Sequence, residues 1–62
     1  MSSRMKDARW QLAKQTCDGL GIEFYDLPYA VKDRLLYSSQ QFLDQAPLDK
    51  VEELAKKWNQ EP

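Results

Sequence analysis

The sequence has no histidine and only one cysteine, Cys17. A single thiol forms no disulfide within the chain. One thiol without imidazole also falls short of the donor set of a tetrahedral zinc site. Nucleophilic catalysis needs a nucleophile, a base and a group that orients the base, and Cys17 has no histidine to activate it. Glycine is scarce as well: Gly19 and Gly21 are the only two. They read as a helix stop rather than as a phosphate-cradling loop, and the spaced acids of a calcium loop are missing. No stretch approaches the roughly 18 consecutive apolar residues of a membrane span, and Met1-Ser2-Ser3-Arg4 is not an apolar leader. A lone thiol fits a reducing compartment. The expectation is a cytoplasmic protein that does not enter the membrane. A charge excess is also lacking, with nine basic and ten acidic residues for a net charge of −1. That balance disfavours a protein whose affinity comes mainly from neutralising phosphates.

What remains is 62 residues, expected to form one domain over 1–62. A chain of this length buries only about 60% of the surface that its unfolded form exposes. Small domains usually add a cross-link, a metal or a second subunit. With the first two excluded, association with a partner is the remaining way to add buried area. The reading is a non-enzyme with no cofactor and no metal.

Gly19, Gly21, Pro28 and Pro47 divide the chain into three helical pieces. The first spans about Ser3 to Asp18, with Ser2 or Ser3 as N-cap and Gly19 as the residue past its end. At about 100° per residue, Met5, Ala8, Leu12, Ala13, Thr16 and Cys17 share one apolar face. Arg9 projects into the middle of that face and Trp10 onto its edge. The segment 19–26 is too apolar for a free linker. Ile22 and Phe24 alternate about Glu23, which predicts an extended loop that plugs both side chains into the core. The second helix is expected from Asp26 or Leu27 to about Asp44, with Asp26 as cap and Pro28 in the first turn. Leu27, Val31, Leu35, Ser38 and Phe42 form one face, and Tyr29, Leu36 and Leu43 lie nearly opposite. A helix apolar on two sides needs two covers, so this one is expected at the centre. The third helix is expected from Pro47 to near Asn59, with a narrow stripe of Leu48, Val51, Ala55 and Trp58 alongside Leu54. Glu52–Lys56 and Glu53–Lys57 are spaced as i, i+4 pairs. The fold class is all-α: a small three-helix domain with a central second helix and an apolar extended loop between the first two.

Cys17 on an apolar face reads as a small buried hydrophobe. Seven aromatic residues, two Trp, three Tyr and two Phe, exceed what three short helices can cover, and Trp and Tyr are enriched at binding hot spots. Arg9, Trp10, Tyr29, Leu36, Tyr37 and Leu43 are therefore the candidate partner-binding residues. The function expected is a small protein-interaction module (an adaptor, inhibitor or accessory subunit). Its partner is another protein, with a homodimer among the candidates. The alternative is a helical nucleic-acid-binding regulator using the basic first helix, Arg4, Lys6, Arg9 and Lys14. The short connection at Gln45-Ala46-Pro47 resembles that of a helix-turn-helix. A recognition helix meets phosphates at its N-terminal end, however, and there the third helix carries Asp49, Glu52 and Glu53 against Lys50.

Overall fold

The computed structural model describes residues 3–60. They form three α-helices and a 3₁₀ turn: α1 Ser3–Gly19, the turn Phe24–Asp26, α2 Tyr29–Asp44 and α3 Leu48–Gln60. The described residues contain no strand, and no described helix is long and apolar enough to cross a membrane.

The punctuating residues act close to where they were expected, with informative offsets. α1 continues through Gly19, and Gly21 takes the positive φ, at 73°. The Ile22 N–H donates to the Cys17 carbonyl at 2.9 Å and the Gly21 N–H to the Asp18 carbonyl at 3.1 Å. This is a Schellman closure, in which a left-handed residue turns the chain back over the last free carbonyls. The expected Ser2 cap lies outside the described residues. Asp26 does not cap α2, because it ends the 3₁₀ turn, where Glu23 accepts the Tyr25 N–H at 3.4 Å. Pro28 precedes α2 without a side-chain cap, and its carbonyl accepts the Val31 and Lys32 N–H groups, each at 3.0 Å. Pro47 does the same for Lys50 and Val51 ahead of α3, at 3.0 and 3.3 Å.

The helix at the centre is α1, not α2. α1 packs most extensively on α3 and next on α2, whereas the α2 and α3 backbones barely approach one another. Two alanines explain the arrangement. Ala8 and Ala13 are both fully buried, yet five positions apart they project about 140° from one another. α1 is therefore covered on two sides, and its small side chains let neighbours come close. Ala8 joins Leu43, Val51, Leu54 and Ala55, flanked by Met5, Leu12 and Ala46. Ala13 joins Cys17 and Phe24, flanked by Trp10, Leu27, Leu35 and Leu36. The core is thus two lobes with α1 between them.

The loop before α2 also differs from its expected form. Phe24 is fully buried, but Ile22 remains 41% exposed and the segment coils into the 3₁₀ turn instead of staying extended. Phe24 meets Trp10 edge to face, with centroids 5.6 Å apart at 75°. Trp10 in turn lies 6.1 Å from Trp58 of α3. Such ring pairs contribute about 0.5–1.5 kcal/mol each beyond their burial. Here they connect the loop and α3 across α1. At the surface, Arg4 pairs with Glu52 at 2.8 Å and Lys50 with Glu53 at 3.2 Å, replacing the pairs expected from i, i+4 spacing. Asn59 Nδ2 donates to Asp7 at 3.0 Å.

Candidate interaction surfaces

α2 is expected to be covered on both apolar faces, but only one is covered. Its inward side is Ser39 and Leu43, with Leu35, Leu36 and Gln40 half-buried. Leu43 is 1% exposed inside the Ala8 lobe, so it offers nothing to a partner and is corrected from binding residue to core. The reason is the central α1. α2 turns small Ser39 and long Leu43 toward it, which rotates the Val31–Phe42 stripe outward. Val31 is 46% and Phe42 63% exposed.

Two surfaces result. The first is a groove of 580 Å³ between α1 and α2, lined by Lys6, Arg9 and Trp10 on one side and by Asp33, Arg34, Leu36, Tyr37 and Gln40 on the other. It gathers four of the six predicted partner residues: Arg9, Trp10, Leu36 and Tyr37. Tyr29, although exposed, is not among its lining. Lys6 belongs to the basic set of the nucleic-acid alternative, and Asp33, Arg34 and Gln40 are not among the residues the sequence singles out. Arg34 and Gln40 flank Leu36 and Tyr37 on α2 but are polar residues on an exposed helix, which in a sequence look like solvated surface. Arg9 is half-buried. Its Nη1 donates to Gln40 Oε1 at 3.1 Å, and Gln40 Nε2 donates to Asp44 at 2.7 Å. The buried Nε of Arg9 has no hydrogen-bond partner. Lys6, Arg9 and Arg34 enter no ion pair among the described residues.

The second surface is an apolar hollow of 340 Å³ on the other flank of α2. Cys17, Leu20, Ile22, Leu27, Val31 and Leu35 provide its apolar wall, and Arg34 borders this hollow too. Leu20 is 70% exposed beside it. The thiol of Cys17 is buried, which pushes its pKa above the ordinary value, and the carboxylates of Asp18 and Glu23 raise it further. It is thereby a weaker nucleophile than a free cysteine. Among the described residues, no three potential metal-ligating side chains gather at one point.

The basic residues of α1 do not make one face. Arg4 and Lys6 project about 160° apart at about 100° per residue. Arg4 is paired with Glu52 and lines a separate cleft with Asp7, Lys56 and Asn59, and Lys14 lines neither groove. Nor do α2 and α3 pack on each other as a helix-turn-helix pair does. The chain matches no family model, no curated protein and no solved structure.

Proposed function

We propose that this chain is a non-enzymatic protein-interaction module whose first partner is a second copy of itself. The observation that carries the reading is the uncovered apolar flank of α2: Val31 stands exposed in a hollow with Leu20 and Ile22, and Phe42 stands exposed further along the same helix. Burying apolar surface stabilises by about 25 cal/mol per Å², and a domain this small has little other surplus. The stripe Val31, Leu35, Ser38, Phe42 is spaced 4, 3, 4 and reads alike in both directions. That spacing suits an antiparallel two-fold pairing, in which the same patch meets itself and residue i meets j as j meets i. An antiparallel copy sets Val31 opposite Phe42 and Leu35 opposite Ser38, with each Phe42 ring over the other copy's hollow. The absence of histidine and the burial of the sole thiol support the non-enzymatic part of the reading.

Sedimentation equilibrium tests it. The expected result is a dimer in the micromolar range with a melting temperature that rises with concentration. Phe42→Asp should return it to a folded monomer. A single 7.3 kDa species at high micromolar concentration, with a concentration-independent melt, overturns the self-association.

A further inference from the structure

The α1–α2 groove has a charge opposite to that of the whole protein. Three cations, Lys6, Arg9 and Arg34, surround it against one lining carboxylate, Asp33, on a chain of net charge −1. Asp44, one turn along α2 from Gln40, accepts from Gln40 Nε2 at 2.7 Å. None of the three cations enters an ion pair among the described residues, so their charge is not cancelled within the groove. Beneath them, Trp10 and Leu36 are half-buried, and Tyr37 stands 64% exposed at the rim.

We infer that this groove is a docking site for an acidic peptide segment of another protein, one that carries carboxylates on either side of an apolar side chain. The two halves of the site dictate the two halves of the ligand. Lys6 on α1 and Arg34 on α2 flank the opening and select carboxylates by charge. The Trp10–Leu36 floor takes an apolar anchor, with Tyr37 closing over it. Arg9 is braced by Gln40 at Nη1, so its guanidinium is held in the groove wall before a ligand arrives. Preorganisation of that kind lowers the entropy lost on binding. A phosphate backbone fits less well, because a continuous basic track is needed to follow it and Arg4 and Lys14 lie outside this groove.

The site is independent of the self-association surface except at Arg34, which borders both. Lys6 touches the groove alone, so it separates the two proposals. The test is fluorescence anisotropy of a labelled synthetic peptide with glutamates flanking a leucine. Its controls are the same peptide with glutamines and a single-stranded oligonucleotide of matching charge. The expected result is binding of the glutamate peptide only, weakening as salt is raised. Lys6→Gln with Arg34→Gln should reduce affinity on the order of tenfold. Both side chains are exposed and unpaired, so circular dichroism of the variant should stay native. Phe42→Asp should leave peptide binding intact, and Lys6→Gln should leave the sedimentation behaviour intact. The inference is overturned if the two peptides bind alike, if neither binds, if the double variant binds as well as the parent, or if only the oligonucleotide binds.

Discussion

The backbone N–H of Ile22 reaches back to the carbonyl of Cys17 at 2.9 Å, and Gly21 supplies the left-handed residue between them, with φ at 73°. That geometry makes the two glycines unequal. Gly21→Ala forces a side chain into the left-handed region and should cost about 1–2 kcal/mol. Gly19 is helical, and a Cβ there meets nothing within 4 Å. Gly19→Ala should therefore be neutral or stabilise by up to about 1 kcal/mol. Urea denaturation of the two variants checks the opposite signs, and equal destabilisation would contradict this reading of the turn.

Gln11 is 4% exposed, and its Oε1 is buried without a hydrogen-bond partner, although its Nε2 donates to Gln15 at 2.8 Å. A buried orphan acceptor costs about 1–3 kcal/mol. Gln11→Met keeps nearly the same length and removes the uncompensated oxygen, and Gln15, half-buried, retains access to water. The variant should raise the stability by about 1 kcal/mol, seen as a higher urea midpoint with unchanged slope. A lower midpoint would mean that the amide is satisfied in solution.

Cys17 gives the fold a dependence on alkaline pH. Its folded-state pKa is raised by burial and by Asp18 and Glu23, so the folded chain holds the thiol proton more tightly than the unfolded chain does. The associated stability is fully present below the ordinary thiol pKa of about 8.5. It is lost as pH climbs from there through the raised value. The stability difference between the parent and Cys17→Ala should be flat from neutral pH to about pH 8 and narrow above it. Paired melts across that range test this, because tyrosine and lysine titrations are common to both proteins. A difference that stays flat to pH 10 would show that the thiolate is tolerated.

The three helices were legible because glycine and proline stand between them and because α3 has a clean, narrow stripe. The arrangement was harder to read. Apolar side chains surround α2 in the sequence, which directs attention to it, while the alanines that seat α1 between two lobes count for little on a hydrophobicity scale. Ala8 and Ala13 matter through what they lack, since absent side-chain bulk permits close helix approach, and periodicity does not register that. The rotation of α2 followed from the same misplacement. Periodicity places adjacent Phe42 and Leu43 on two opposed apolar stripes without saying which one α1 covers, and the structure buries Leu43 and exposes Phe42. Of the groove, Arg9 announced itself by interrupting an apolar face, and Trp10, Leu36 and Tyr37 by their size. Arg34 and Gln40 carried no such signal, because polar residues on an exposed helix usually serve only as solvated decoration.

The pairing of α1 with α3 also governs when this stretch of chain can fold. The lobe around Ala8 takes Val51, Leu54 and Ala55 from the last helix, and Arg4 and Asp7 find their partners only at Glu52 and Asn59. On a ribosome, α1 and α2 emerge while α3 is still inside the exit tunnel, so the hub helix waits with one side uncovered. Local contacts can form early, but closure over long sequence separations comes last. This stretch is thus held back from its final form until α3 joins it, and α1 keeps one side uncovered until Val51, Leu54 and Ala55 arrive.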